Sequence, residues 1–350
     1  MFADNNQISW RQLFCQMILS ILGAMILFLP GRHIQGIGGC IACVIALVIL
    51  VFHCFWLTRL TPAYSHLEKY VGDMGTKITG GVFVAFYILT AAFVVSLVWE
   101  IISQYMITGT SRVLIHLVVI LACGMAGSPQ IQRRGRMAEF CFPFFIGVLV
   151  LMLILAFAQS RGDFGTYLMQ ESYMDVDTLA RDVGILLLAF TCINGVPFLL
   201  GNVKDKRFGG LAGGVSLVVV FLIGMLILLQ GSYGTAQTNA REWPMLSLMA
   251  GIRIPGGFVS RMDPVWVALL MLFLLFSVGS AFFYSNYIVK RTELGIPWYV
   301  IYGLVFVVSL LRFGDKGVSD FYMICVKYFF APVIFLWNLF LAWKIRRQRS

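Results

Sequence analysis

The chain has 350 residues, is 60% hydrophobic and only 12% charged, and has a mean hydropathy of +0.88. A water-soluble domain of that length has too little interior to hide so much apolar side chain, so the bilayer is the solvent. The net charge of +10 does not point to nucleic acid, because the Lys and Arg residues fall between apolar segments and form no basic face interleaved with aromatics.

A polar start from Asp4 to Arg11 leads into an apolar run with no small-residue cleavage site, which reads as a retained helix and not as a signal peptide. Ten spans are predicted at about 12–31, 36–58, 79–107, 111–126, 136–158, 180–200, 209–230, 264–288, 297–312 and 320–343. The first carries Gly23 and Pro30 inside Ile21-Leu22-Gly23-Ala24-Met25-Ile26-Leu27-Phe28-Leu29-Pro30. The sixth carries Phe190-Thr191-Cys192-Ile193-Asn194-Gly195-Val196-Pro197. In a ten-span chain these lead two five-helix halves of a single membrane domain, about 12–158 and 180–343.

A lone Gly or Pro in a membrane helix is often only a kink. Interruptions at corresponding positions of two halves point instead to a binding site at mid-membrane. Unwinding at Leu22, Gly23, Ala24 and Met25, and at Phe190, Thr191, Asn194 and Gly195, would free backbone groups there. Half-helix N-termini favour a carboxylate and freed carbonyls favour an ammonium, and an α-amino acid offers both.

Sixteen Lys and Arg residues fall in segments that are inside if both termini are cytoplasmic, nine fall outside, and Lys327 lies within a span. That bias places both termini in the cytoplasm. Of the longer connections, 231–263 contains an amphipathic stretch from Pro244 to Ile254, read as a short helix over the outer vestibule, and 59–78 contains a candidate surface helix from Pro62 to Tyr70. Gly209-Gly210-Leu211-Ala212-Gly213-Gly214 opens the seventh span with small residues four apart, a pattern that permits close helix contact.

Two charges lie within spans. Glu100 is an acid whose desolvation must be offset, either by a proton or water pathway or by a hydrogen bond to a neighbouring helix. Lys327 reads as a partner for an acid, as a substitute for a sodium ion, or as a snorkelling residue. Ser277 and Ser280 lie on a polar stripe of the eighth span that suits a cavity wall or interhelical hydrogen bonds. The eight cysteines all lie in or beside apolar segments and read as packing residues. No phosphate-binding loop, paired catalytic carboxylates, nucleophile elbow or zinc spacing is found, so neither catalysis nor a cofactor or metal is expected.

Two stretches carry a family resemblance. Gln7-Ile8-Ser9-Trp10-Arg11-Gln12-Leu13-Phe14, running on to Phe28-Leu29-Pro30, resembles the opening of the endospore germination permeases, the B subunits of nutrient germinant receptors. The loop Trp243-Pro244-Met245-Leu246-Ser247-Leu248, then Pro255-Gly256-Gly257-Phe258-Val259-Ser260-Arg261-Met262-Asp263, resembles that family's connection before the eighth span. The family resembles a branch of the amino acid–polyamine–organocation superfamily. The resemblance implies an all-α integral membrane protein with a LeuT-like five-plus-five inverted repeat and broken first and sixth helices. It also implies a small-molecule germinant, an amino acid, bound beside a receptor A subunit and a lipoprotein C subunit, in the spore inner membrane. One departure stands out: only Gly23, followed by Ala24, occupies the place of a Gly-rich break. An active amino acid or amine permease of the same fold is the alternative, and a scaffold that binds nothing is a third possibility.

Overall fold

Where no water reaches the backbone, each N–H and C=O must be satisfied within the chain, and this sequence does so with helices. The structure is a computed structural model describing residues 6–106, 109–160, 175–252, 263–311 and 317–349. The first part of the chain forms α1 (Trp10–Phe28), α2 (Gly36–Ser65), α3 (Leu67–Ile101), α4 (Arg112–Ala126) and α5 (Ile131–Gln159). The second forms α6 (Val176–Ala189), a 3-10 turn at Phe190–Gly195, α7 (Pro197–Leu200), α8 (Arg207–Asn239), α9 (Pro244–Ala250), α10 (Asp263–Arg291), α11 (Trp298–Leu310), α12 (Gly317–Cys325) and α13 (Ala331–Arg349). Two π-helical turns, Ile102–Met106 and Val326–Phe330, extend α3 and join α12 to α13. Among the described residues eight helical segments are long and apolar enough to cross a membrane, while α4 and α11 are shorter apolar helices.

Local chemistry sets the first helix. Ser9 Oγ accepts from Gln12 N (3.2 Å) and Gln12 Oε1 accepts from Ser9 N (3.1 Å), a reciprocal cap written in Ser9-Trp10-Arg11-Gln12. Just before it, Ile8–Ser9 forms β1 and pairs in parallel with β2, Val203–Lys204. The short helix expected within Pro244 to Ile254 is present as α9, Pro244–Ala250. The surface helix expected at 62–70 is divided instead. There α2 runs on to Ser65, α3 starts at Leu67, and Gly72 breaks α3 again at φ +75°.

Burial separates an inner set of helices from an outer one. The apolar stretches of α1, α3 and α10 are 72%, 72% and 78% buried, against 17% for α5. The centre is therefore α1, α3 and α10, with α8 packed on α1 and α2. Gly210 and Gly214, from the small-residue motif, permit the α1–α8 contact. A Cβ at Gly210 would lie 2.7 Å from Trp10 O, and one at Gly214 would lie 2.9 Å from Met17 Cβ. Exposed side chains such as Val48, Phe52 and Phe140 cover the periphery, as a lipid-facing surface requires.

Contacts between helix ends fall into two groups. In one, β1 pairs with β2, Gln12 Nε2 donates to Glu139 Oε2, and Arg291 donates to Ser65 O. In the other, Gln104 donates to Glu242 Oε2, Arg112 donates to Ser309 O, and the Arg32 guanidinium lies 4.9 Å from the Trp243 ring centre. The short helices α4 and α11 lie side by side. They meet at Arg112 and Ser309 at one end, and at the other Tyr302 donates to Gly124 O.

Candidate functional site

The expected break in the sixth apolar segment is present. After Ala189 the helix tightens into the 3-10 turn, and Pro197, which has no N–H, starts a new helix. Asn194 stabilises the turn through its side chain, donating from Nδ2 to Thr191 O (3.0 Å) in place of a ladder bond. Its Oδ1 accepts from His53 Nε2 (2.9 Å) on α2 and from Asn338 Nδ2 (3.1 Å) on α13. Because an amide oxygen only accepts, this pairing assigns the proton of His53 to Nε2. Asn338 Oδ1 in turn accepts from Tyr64 OH at 2.6 Å. Each of these bonds contributes roughly 1 kcal/mol, but a partner left unpaired in the interior would cost more.

A crevice of about 530 Å³ lies against this turn, between α2, the turn itself and the π segment leading into α13. Phe190, Thr191 and Asn194 line it together with His53 and Lys327. The structure thus brings Lys327 to the sixth-segment break, an approach that sequence distance does not show. Lys327 sits in the π turn, with its ammonium 5.1 Å from the Tyr328 ring centre. The crevice opens on the periphery of the bundle, where Ile49 and Phe335 are exposed.

The expected break in the first segment is absent. α1 continues as a helix through Leu22, Gly23, Ala24 and Met25, and Met25 O is used by Leu29 N at 3.1 Å. The physical reason is packing. A Cβ on Gly23 would lie 2.7 Å from Phe273 Cβ and 2.8 Å from the Phe273 carbonyl carbon, so this glycine lets α1 press against α10. Pro30 lies beyond the end of the helix. Leu22, Gly23 and Met25 are buried and Ala24 is partly so.

Ser277 Oγ donates to Phe273 O within its own helix (3.1 Å), whereas Ser280 Oγ lies 2.7 Å from Ser20 Oγ of α1. The two centres are joined through aromatic rings. Tyr87 OH of α3 donates to Cys192 O (2.8 Å), and its ring stacks on Tyr284 of α10 at 4.9 Å and 8°. Gly195 lies directly beneath Tyr87, and a Cβ there would run into its hydroxyl and ring. Sequence reasoning missed Tyr87, His53 and Asn338. The two polar residues are lone polar side chains in apolar runs, which is a weak signal, and Tyr87 carries none.

Glu100 lies near the end of α3, half-buried, just before the π turn. Its charged neighbours are Arg32, Glu242 and Arg112, and among the described residues no cationic group lies within 4.0 Å of its carboxylate. His33, in the connection after α1, packs on Phe28 at 4.4 Å; burial pushes it down to about 4, with Arg32 adding to the effect, so it is neutral near pH 7.

Eight long apolar helices, two shorter ones and a buried three-helix centre among the described residues define a multi-pass helical membrane protein. The fold agrees with that class. It superposes with a TM-score of 0.59 on a Na+-coupled sialic acid symporter in its substrate-bound outward-open state, at 14% identity, covering 96% of this chain and 76% of the symporter. A profile described as Spore germination protein, of the spore permease type, matches residues 7–311, and the chain belongs to that family. Spore germination protein YndE of Bacillus subtilis (strain 168) is 22% identical over 368 aligned positions, covering 100% of both chains. Spore germination protein KB of the same organism is 24% identical over 312 positions, covering 83% of this chain and 79% of the relative.

Proposed function

We propose that this chain is the membrane subunit of a spore germinant receptor. It binds a small nutrient, an amino acid, at the interrupted sixth segment and passes the occupancy to a receptor A subunit and a lipoprotein C subunit. The observation that carries the reading is the turn at Phe190–Gly195, in a chain of the spore germination family, with Lys327 brought beside it. The ammonium of Lys327 suits a ligand carboxylate, and the turn carbonyls with Thr191 and Asn194 suit a ligand ammonium. A turn held by Asn194, Tyr87 and Asn338 has a small set of bonds to exchange, and a ligand that prefers one arrangement shifts the population.

The same reading takes the chain as ten crossings in a LeuT-like five-plus-five repeat, about 12–158 and 180–343, within one membrane domain. The two groups of helix-end contacts support it, because they alternate along the chain as ten crossings require. The spore inner membrane and cytoplasmic termini complete the reading. For Ser350→Cys in a background without native cysteines, an impermeant thiol reagent is expected to leave the residue unlabelled in intact cells and to label it after permeabilisation. Labelling from outside would invert the topology.

A strain lacking this chain is expected to lose germination to one nutrient in a panel of single nutrients. Wild type is expected to restore that response and Lys327→Met to leave it weak. Unchanged germination to every nutrient would remove the receptor reading. The symporter likeness favours an active amino acid or amine permease as the second reading. Uptake of the labelled nutrient by this chain without A and C subunits separates the two.

Glu100→Gln is expected to weaken the response about fivefold or more, the equivalent of about 1 kcal/mol of lost charge interaction with Arg32 and Arg112. Asp175→Asn is expected to leave it unchanged. Asp175 is exposed and caps α6, accepting from Asp177 N at 3.4 Å, and Asn caps equally well. Dose–response curves at matched protein levels decide the comparison. Equal curves for Glu100→Gln and wild type would leave Glu100 with a hydrogen-bonding role only.

A further inference from the structure

Four helix ends meet beside the segments that flank the β1–β2 pair: α4 and α10 finish there, and α5 and α11 begin. A polar cavity of about 690 Å³ opens between them. Asn6 and Asn202 close one side, where Asn202 Nδ2 donates to Asn6 O at 2.9 Å. Arg133 and Arg136, one turn apart on α5, line the cavity together with Lys290 and Arg291 from the last turn of α10. No acidic side chain lines it among the described residues. Arg291 donates to Ser65 O at 2.8 Å. Arg133 and Lys290 are exposed, and no carboxylate lies within 4.0 Å of either among the described residues. Two arginines at the start of a helix oppose its dipole, so the charge gathered here favours an anion between them.

An apolar groove of about 610 Å³ adjoins the cavity and shares Pro129 and Lys290 with it. Leu121, Met125 and Trp298 line the groove and are exposed at 61%, 89% and 62%. Asn286 and Tyr302 also line it, but their polar groups are paired. Asn286 Nδ2 donates to Gly127 O (2.8 Å) and Tyr302 OH (3.0 Å), and Tyr302 donates to Gly124 O (3.0 Å). A tryptophan at the end of an apolar helix suits the membrane interface. A soluble anion would use the cavity alone. A molecule with a charged end and a hydrocarbon tail fits both parts of the surface.

We propose that this surface binds one anionic phospholipid of the surrounding leaflet. The phosphate lies among Arg133, Arg136 and Lys290, and an acyl chain follows the groove past Trp298. Guanidinium forks match phosphate oxygens, and lysine adds a point charge. Basic pockets between spans take such head groups. The bound lipid bridges the α4–α5 connection and the end of α10. The proposal goes beyond the receptor reading, and its test uses no germinant.

The experiment is native mass spectrometry of the purified, delipidated full-length chain, titrated with dioleoyl phosphatidylglycerol or dioleoyl phosphatidylcholine. Wild type is expected to retain one phosphatidylglycerol roughly tenfold more tightly than phosphatidylcholine. The double variant Arg133→Gln/Lys290→Gln, at two exposed positions, is expected to hold the two lipids equally. Trp298→Ser is expected to weaken both lipids about threefold and to keep the preference. Equal retention of the two lipids by wild type would overturn the proposal, as would an undiminished preference in the double variant or unchanged affinity in Trp298→Ser. Inorganic phosphate or a hexaglutamate peptide that displaces the lipid at equal concentration would assign the cavity to a soluble anion or to an acidic partner segment, and would equally overturn it. If the double variant does not accumulate, wild type decides. Its preference is expected to fall about threefold or more as ammonium acetate rises from about 0.1 to about 1 M, and a preference indifferent to salt would overturn the proposal.

Discussion

Gly195→Leu is expected to abolish the germinant response while the protein still reaches the membrane. The site of the change is the end of the 3-10 turn, directly beneath Tyr87. Any side chain there must displace the Tyr87 ring, break its hydrogen bond to Cys192 O and disturb its stack on Tyr284. Overfilling of a packed interior costs about 1–3 kcal/mol, which a membrane bundle tolerates but a turn poised between two arrangements does not. The coupling is directly measurable. Gly195→Ala and Tyr87→Leu are expected to be non-additive in unfolding temperature, with an interaction of about 1 kcal/mol or more, because the smaller ring-less side chain makes room for the new methyl. Additive effects, or a normal dose–response curve for Gly195→Leu, would show that the turn and the α3 aromatic are independent and that the site lies elsewhere.

Gly23→Val is expected to have the larger effect on accumulation. The atoms that a side chain would meet at Gly23 include the Phe273 carbonyl carbon at 2.8 Å and Leu274 N at 3.0 Å, and backbone cannot rotate away as a side chain can. α1 and α10, two of the three most buried apolar segments among the described residues, would have to move apart, at a cost of roughly 3 kcal/mol or more. Gly81→Ala and Gly224→Ala, where a Cβ meets nothing within 4 Å, serve as controls and are expected to stay within about 0.5 kcal/mol of wild type. Membrane protein levels and unfolding temperatures read the difference. Wild-type accumulation of Gly23→Val would mean that α1 opens at this point after all.

These two glycines divide what the sequence determines by itself from what the tertiary structure decides. The membrane class follows from composition alone, because hydropathy is a sum over residues and needs no contacts. The sixth-segment break is legible for a similar reason. Asn194, Gly195 and Pro197 act within one turn of themselves, one by competing for backbone, one by lacking bulk and one by lacking an N–H. The small-residue run at 209–214 announces a close helix contact, but not that α1 is the helix it meets.

Gly23 looks the same as Gly195 on the page of letters. In α1 the backbone ladder closes around it, and only the position of Phe273, two hundred and fifty residues later, explains why no side chain is allowed. Arg133, Arg134 and Arg136 are alike in sequence, three of the sixteen inside basic residues, yet Arg134 is buried with its Nη2 donating to Phe276 O of α10 while Arg133 and Arg136 are exposed. Lys327 is placed beside Thr191 and Asn194 by a π turn that no local residue signals. His53, Asn338 and Tyr87 join the turn from three other helices. Local backbone chemistry therefore tells where this chain can bend. Which polar groups meet at the bend, and which glycine is merely a contact, depends on long-range packing, because desolvation and close approach are properties of pairs of helices and not of either helix alone.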